Sequence, residues 1–258
     1  MAMAAVKRER RVHADGTAGT TDEAAWRDWV GLLQPPAVSL DTLVSAGQRL
    51  VVVSPHPDDE VLACGGLLAL HAQRGGATAI VAVTDGEASH GRDPAWPARK
   101  LASARRVERR RGLARLGLSA GAVTRLGLPD TAIASHRDAL QRGLRQVLRP
   151  TDCVVSPWRL DGHPDHDATG CETARICADL GLRLIEAPVW MWNWSAPADS
   201  RVPWQRLGAL ALPLDAAARK AAALAEHTSQ LVARGNDAPI LGPAMLARAA
   251  WAAEYFFV

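Results

Sequence analysis

The chain has 258 residues, of which 48% are hydrophobic and 22% charged, and its formal net charge is +3. This length suits one large α/β domain or two small ones, and so small a net charge argues against nucleic acid as a partner. No apolar run in the sequence is long enough to span a bilayer. The charged start MAMAAVKRERRVHADG lacks the apolar core of a secretory signal, and the four cysteines form no CxxC pair, so we expect a cytoplasmic protein without disulfides.

Strand and helix patterns alternate along most of the chain. Residues 1–22 are polar and rich in Gly and Thr, which predicts a flexible N-terminal arm, and we expect residues 23–258 to form a single domain. Val-rich and Ile-rich runs predict five strands: QRLVVVS, ATAIVAVTDG, AVTRLGLPD, TDCVVSPW and RLIEAPVW. Helical spacing of apolar residues predicts these helices: TDEAAWRDWVGLLQ, EVLACGGLLALHAQRG, PARKLASARRVERRRGLARLG, SHRDALQRGLRQVLRP, DHDATGCETARICADLG and DAAARKAAALAEHTSQL. The alternation predicts an α/β, Rossmann-like fold, a mostly parallel sheet with helices on both faces.

Histidines and acids cluster after the first and fourth predicted strands. The first cluster, SPHPDDE, contains His56, Asp58 and Asp59, and the second lies in SPWRLDGHPDHDATG. The first segment is not a GxGxxG sequence, so a dinucleotide cofactor has little support. Because ligands bind at the carboxyl ends of the strands in an open parallel sheet, we expect the two clusters to meet at one edge.

Imidazole and carboxylate donors suit zinc or a similar divalent ion. A histidine and a carboxylate from the first cluster, with a histidine from the second, supply three ligands and leave a position open for water. Two adjacent aspartates rarely bind one ion together, so we expect one to bind the metal and the other to act as general base. For Glu60 two interpretations stay equally open: a favourable acid in the first helical turn, or a metal-related role.

The segments PHPDDEVLACGG and DGHPDHDATG together resemble the PIG-L family of N-deacetylases, also called LmbE-like, and the similarity continues in order along residues 48 to about 193. The later segments ALAEHTSQL and APILGP resemble bacterial members less specifically. The resemblance implies an LmbE-like version of the fold over residues 23–258. It also implies removal of an acetyl group from an N-acetylglucosaminyl-type amino sugar, in a small molecule or a glycolipid precursor.

The resemblance also implies a zinc site with one ion per chain, although another divalent ion would suit the same ligands. In the first motif, His56 and Asp59 would bind zinc and Asp58 would be the general base. In the second motif, His166 would complete the metal site. The family chemistry and the residue chemistry agree, because both need a metal-activated water and a carboxylate that takes its proton.

The remaining residues of the second motif have expected roles beside the metal. The resemblance implies that His163 stabilises the oxyanion or protonates the leaving amine. Asp165 is expected to orient one of the two histidines, because metal-bound imidazoles usually need a partner on their second nitrogen. Some family members carry a tyrosine shortly before this motif, where Asp161 stands in this chain.

Other candidates carry weaker signals. The resemblance implies a substrate contact for Asp130, and the alternative is an acid that forms a turn after Pro. It implies another for Arg105, whereas Arg105 and Glu108 at a spacing of three also suit a surface ion pair on a helix. Glu87 and His90, in TDGEASHG, are candidates for the rim of the substrate site.

Two further features have competing interpretations. His227, in EHTSQ, is expected on a helix surface, with reach to the active site as the alternative. Trp190, Trp192 and Trp194 alternate, so on a strand all three would face one side. Packing in the core or between subunits is favoured there over a stacking platform for a sugar ring or lipid chain.

Three other functions compete with deacetylation of an amino sugar. A metal-dependent amidase acting on a non-sugar N-acyl group would use the same metal site. A non-catalytic module that binds a sugar or nucleotide is disfavoured, because ligands, base and a further histidine are all present. A phosphoesterase commonly uses two metals and more carboxylates. The expected partner is a small-molecule amino sugar, and a homo-oligomer stays open.

Overall fold

Parallel strands form the centre of the fold. The computed structural model describes residues 21–91, 93–233 and 237–258. Within these residues the strands are β1 (Leu50–Ser54), β2 (Thr78–Ala82), β3 (Val123–Arg125), β4 (Cys153–Pro157), β5 (Arg183–Ala187), β6 (Leu207–Ala211) and β7 (Ala253–Phe257). They form one sheet in the order β3-β2-β1-β4-β5-β7-β6. β1 to β5 pair in parallel, as predicted, and β7 pairs antiparallel with β5 and β6.

Helices connect the strands and cover the sheet. Within the described residues they are α1 (Glu23–Leu33), α2 (Leu40–Leu43), α3 (Asp59–Gln73), α4 (Ala98–Arg115), α5 (Arg137–Val147), α6 (Pro164–Leu180), α7 (Met191–Trp194), α8 (Leu214–Leu224), α9 (Thr228–Leu231) and α10 (Pro243–Ala249). Among the described helices, none combines the length and the apolar character that crossing a membrane requires. Most of the predicted N-terminal arm lies outside the described residues.

The structure differs from the predicted elements in the second half of the chain. The predicted helix over residues 215–231 is interrupted, because α8 ends at Leu224 and α9 begins at Thr228. β6 and β7 add two strands to the five that the sequence predicts. The fifth predicted strand is also shorter, because β5 ends at Ala187 rather than at Trp190.

Both faces of the sheet are buried, and β1 shows how. Leu50 and Val52 point into a core formed with α3 and α8. Val51 and Val53 point into a second core formed with α5 and α6. Strands buried on both faces have nearly continuous apolar sequences. The Val-rich run of β1 therefore marks a central strand, and the predicted mostly parallel α/β fold is confirmed.

Helix α3, which follows the first motif, is broken in its middle. Cys64 has non-helical angles (φ −150°, ψ 30°) inside it. The carboxylate of Glu254, on β7, accepts hydrogen bonds from the amides of Gly66 (2.7 Å) and Leu67 (2.8 Å) just after the break. The ammonium group of Lys220, on α8, donates to the same carboxylate at 2.8 Å. The final strand thus fixes the shape of the helix that begins in the active-site motif.

Candidate active site

The two motifs meet where the strand order of the sheet reverses. β2 and β3 lie on one side of β1, and β4 and β5 lie on the other. A crevice forms at the carboxyl ends of strands at such a point. His56 follows β1, and His163 and His166 follow β4; the imidazole rings of His56 and His166 have centroids 5.4 Å apart. The two clusters therefore lie together at one edge of the sheet, as the sequence predicts.

The carboxylate of Asp59 faces two imidazoles where the two motifs meet. Its Oδ2 atom lies 3.2 Å from Nδ1 of His56 and 3.2 Å from Nε2 of His166. Nε2 of His166 is buried and makes no hydrogen bond within the described residues. Burial opposes protonation of both imidazoles, but the facing carboxylates prevail: the pKa of His56 is raised well above its usual value and that of His166 to about 9. The lone pairs of the Asp59 carboxylate and of the two imidazoles that face it repel one another at this distance unless a proton or a cation lies between them.

Carboxylates also fix the second nitrogen of His56. Nε2 of His56 lies 3.1 Å from Oδ1 of Asp130 and 3.2 Å from Oδ2 of Asp165. Asp165 is held in turn by the amides of Thr131 (2.8 Å) and Ile133 (3.2 Å). Burial disfavours the charged form of Asp130, yet His56 lowers the pKa of Asp130 to about 2. The histidine that the Asp165 carboxylate contacts is thus His56, and the carboxylate of Asp130 contacts the same nitrogen.

Asp161 fixes the second nitrogen of His166, a contact that the sequence did not predict. Its Oδ2 accepts from Nδ1 of His166 at 2.8 Å and from the amide of Trp190 at 2.9 Å. Its Oδ1 accepts from the amides of Val189 and Met191, both at 2.9 Å. An acid just before a histidine motif at a strand end was the available signal, since metal-bound imidazoles usually pair with a carboxylate.

Asp58 occupies a strained turn between β1 and α3. Its backbone has φ 125° and ψ −29°, a region that residues with a side chain rarely adopt. Burial raises the pKa of Asp58 to about 7, although Arg105 acts in the opposite direction. Nη2 of Arg105 donates to Oδ2 of Asp58 (3.1 Å) and to the carbonyl of Pro57 (2.7 Å), and Nη1 donates to the carbonyl of Gly86 (2.9 Å). The predicted contact of Arg105 with substrate stays a prediction.

His163 stands at the start of α6 with a defined tautomer. Its Nδ1 accepts a hydrogen bond from the amide of Asp165 at 3.2 Å. Burial, with further effects of His166 and His56, lowers the pKa of His163 to about 3, so the ring is neutral. A neutral ring whose Nδ1 is an acceptor carries its proton on Nε2. His163 can therefore donate a hydrogen bond from Nε2 into the crevice.

A buried ion pair lies beneath the Asp58 turn. Glu60 accepts a hydrogen bond from Nε of Arg109 at 3.0 Å and another from the hydroxyl of Ser54. Glu60 lies in the first turn of α3, which agrees with one of the two interpretations from the sequence, and it also anchors α3 to α4 and β1. Glu108 is also buried; it accepts from the amide and the hydroxyl of Ser229, at 2.8 and 2.7 Å. The surface ion pair with Arg105 was the wrong interpretation.

The structure shows where the three weaker candidates, Glu87, His90 and His227, lie. Glu87 accepts a hydrogen bond from the amide of Asp130 at 3.0 Å, so it supports that turn. His90 is buried, with its ring 5.5 Å from that of Trp96. His227 is fully buried between α8 and α9, and the predicted position on a helix surface is wrong.

The three tryptophans do not share one face of a strand, because the chain forms α7 there. Trp190 lies beside His163, with ring centroids 5.2 Å apart. Trp192 packs against Trp26 of α1 in a T-shaped contact at 5.1 Å. Trp194 stacks on Trp158 at 6.5 Å. Packing accounts for Trp192 and Trp194, and Trp190 alone of the three borders the crevice histidines.

The chemistry of the crevice defines a class of protein. Imidazoles and a carboxylate converge beside a buried carboxylate that can take a proton, as in metal-dependent hydrolases. Comparison with known proteins gives the family. Residues 51–177 match the PIG-L model, described as GlcNAc-PI de-N-acetylase, and this chain belongs to the PIG-L (LmbE-like) family of N-deacetylases.

Individual relatives are similar over much of the chain. A 1D-myo-inositol 2-acetamido-2-deoxy-alpha-D-glucopyranoside deacetylase from Tsukamurella paurometabola is 28% identical over 248 residues, covering 71% of this chain and 83% of the relative. A 2'-N-acetylparomamine deacetylase from Streptomyces fradiae is 32% identical over 135 residues, 46% of this chain and 48% of the relative. The structure of N,N'-diacetylchitobiose deacetylase from Pyrococcus horikoshii shares the fold, with a TM-score of 0.54, 23% identity, and coverage of 82% of this chain and 80% of that one.

Proposed function

We propose that this protein is a zinc-dependent hydrolase that removes the acetyl group from the nitrogen of an amino sugar in a small molecule. Two relatives at 28% and 32% identity carry names of deacetylases that act on acetylated amino sugars. The observation that carries the proposal is the carboxylate of Asp59: its Oδ2 lies 3.2 Å from Nδ1 of His56 and 3.2 Å from Nε2 of His166, and Asp58 is the residue next to it. Ligands bound at about 2.0–2.1 Å to a tetrahedral zinc lie roughly 3.3 Å apart, so the two carboxylate–imidazole distances fit a shared ion.

Two other donor sets compete for the metal. In the described part of the chain, groups of three donors lie within 4.8 Å of one another as His56, His163 and His166, and as His56, Asp130 and Asp165. Neither contains Asp59. We favour the set with Asp59, because its Oδ2 faces both His56 and His166, whereas Asp130 and Asp165 face Nε2 of His56.

The side chains around this set divide the work of amide hydrolysis. A divalent ion held by the set supplies a Lewis acid that polarises the amide carbonyl and acidifies water. Asp58, held by Arg105, takes a proton from the attacking water, and a carboxylate with a pKa of about 7 can also release it near neutral pH. Nε2–H of His163 donates to the carbonyl oxygen as negative charge develops on it. Asp58 then returns its proton to the sugar nitrogen as the C–N bond breaks and acetate leaves.

The direct test measures bound zinc and acetate release together. The purified protein is given acetylated amino sugars, including the two compounds in the names of its relatives, with N-acetyl amino acids as the comparison. We expect about one zinc per chain and acetate from one or more of the sugars. Failure of the zinc-supplemented protein to bind metal and release acetate would overturn the proposal, and release from N-acetyl amino acids alone would favour the non-sugar amidase.

Substitutions separate the two aspartates. Asp58→Asn should retain zinc and lose about 100-fold or more in kcat, because it removes the general base. His56→Ala and His166→Ala should lose zinc itself. If Asp58→Asn loses zinc while Asp59→Asn retains it, the roles of the two residues are reversed.

A further inference from the structure

The buried junction between α8 and α9 has no role in the proposed chemistry. His227 and Gln230, at the junction of α8 and α9, are both fully buried. The junction is bound to α4 through Glu108, which accepts hydrogen bonds from the hydroxyl of Thr228 (2.9 Å) and the amide of Ser229 (2.8 Å). The interrupted helix is therefore held in place by a buried charge.

One face of α4 joins this junction to Asp58. Arg105, Glu108, Arg109 and Gly112 recur at helical spacing and lie on that face. A Cβ atom at Gly112 would be 3.0 Å from Nε2 of His227, so glycine permits the imidazole to pack against the helix. At the other end of the face, Arg105 binds the carboxylate and the turn of the proposed base.

Several buried polar atoms on α4 and at the α8–α9 junction have no hydrogen-bond partner among the described protein groups. They are Nε of Arg105, Nη1 of Arg109, Oε1 of Gln230 and both ring nitrogens of His227. Burial lowers the pKa of His227 to about 4, so its ring is neutral and offers one donor and one acceptor. The two arginine nitrogens are donors and the amide oxygen is an acceptor, so donors and acceptors are both present. Buried polar atoms of this kind are commonly bridged by internal water.

We infer that His227 is a positioning residue for Asp58 and acts through buried water and Arg105. Nε2 of His227 packs against Gly112, which lies about one turn from Arg109 and about two turns from Arg105 along the same face of α4. A neutral imidazole accepts a hydrogen bond at one nitrogen and donates one from the other. It can therefore join a water-mediated contact with Arg105 without adding charge to a region that already contains Glu60 and Glu108. The carboxylate of Asp58 sits on a strained turn and needs such support to keep its direction. This inference rests on the proposed function, in which Asp58 is the base.

The test compares two substitutions of His227 in the zinc-loaded enzyme. His227→Leu removes both hydrogen-bonding atoms, and we expect kcat to fall roughly 10- to 100-fold with KM and zinc content unchanged. His227→Gln keeps a donor and an acceptor and should recover part of that loss. His71→Leu is the matched control, because His71 is also fully buried but bonds to the carbonyl of Ala77 near the other end of α3. It should lower Tm without lowering kcat.

The Asp58→Asn background separates positioning from a merely structural role. If His227 acts through Asp58, then His227→Leu causes no further loss of kcat in Asp58→Asn. An undiminished loss there, or a single variant with lowered Tm and normal kcat, overturns the inference while leaving the proposed function intact. Full activity of Asp58→Asn would instead overturn both. If His227→Leu does not fold, Gln230→Met carries the same comparison, because it removes another buried unpartnered acceptor, Oε1 of Gln230, from the same junction.

Discussion

Asp161→Asn tests how the second motif sets the protonation of a proposed metal ligand. The carboxylate of Asp161 receives four hydrogen bonds: Oδ1 from the amides of Val189 and Met191, and Oδ2 from the amide of Trp190 and Nδ1 of His166. Asparagine keeps one oxygen, so its NH2 group must face one of these two pairs.

The two orientations of the asparagine differ in cost. With the NH2 group toward Val189 and Met191, two buried donors are mismatched, at roughly 1–3 kcal/mol each. With the NH2 group toward Trp190 and His166, the imidazole can move its proton from Nδ1 to Nε2, which leaves one mismatch at roughly 1–3 kcal/mol. The second orientation is the cheaper one. It places a proton on Nε2, the nitrogen that faces Asp59 and would bind the metal.

We therefore expect Asp161→Asn to lower zinc affinity by roughly 10- to 100-fold and the unfolding free energy of the metal-free protein by about 1–3 kcal/mol. Competition with a chromogenic chelator measures the zinc Kd, and urea unfolding measures the stability. Glu186→Gln is the control: Glu186 is another buried carboxylate at the strand ends, paired with Arg159. It should lose stability and keep its zinc Kd. A normal zinc Kd in Asp161→Asn would refute the reasoning.

Three further predictions concern stability. Glu60→Ala leaves the guanidinium of Arg109 buried without its carboxylate, so urea unfolding should show a loss of about 3–5 kcal/mol; a loss below about 1 kcal/mol contradicts the buried pair. Gly170→Ala places a Cβ 2.6 Å from the carbonyl oxygen of Pro157 and should cost roughly 1–3 kcal/mol, whereas Gly31→Ala meets nothing within 4 Å and should not lower Tm; equal Tm values in the two variants would argue against this packing. Zinc at a hundredfold excess over its Kd should stabilise the protein by about 2.7 kcal/mol, so a Tm unaffected by a chelator would speak against a metal bound only by the folded chain.

The parallel strands β1 to β5 could be predicted from the sequence, whereas β6 and β7 could not. β1 and β4 are valine-rich runs that stop at Pro and acids, so both their burial and their functional ends leave local signals. β7 follows an Ala-rich stretch with helical spacing, and its partners are β5 and β6, an arrangement decided by contacts distant in sequence. The break between α8 and α9 is similar: the residues favour one helix, but the hydrogen bonds to Glu108 interrupt it.

The proposed metal ligands were also easier to predict from the sequence than the carboxylates that orient them. His56, Asp59 and His166 belong to two short motifs whose residue types suit a metal. The partner of each imidazole depends on side-chain direction, which spacing does not determine. Thus the carboxylate of Asp165 lies against His56 rather than against a histidine of its own motif, and the carboxylate of Asp161 lies beside His166.

The break in α3 links the order of synthesis to the order in which the active site forms. The helix that carries Asp59 is made early, but the carboxylate that binds its amides after the break comes from Glu254 on the last strand. Until β7 is inserted between β5 and β6, those amides lack this acceptor, and Lys220 lacks its buried counter-charge. A nascent chain can therefore build most of its sheet before β7 has been made, yet it should acquire hydrolytic competence only once β7 is in place.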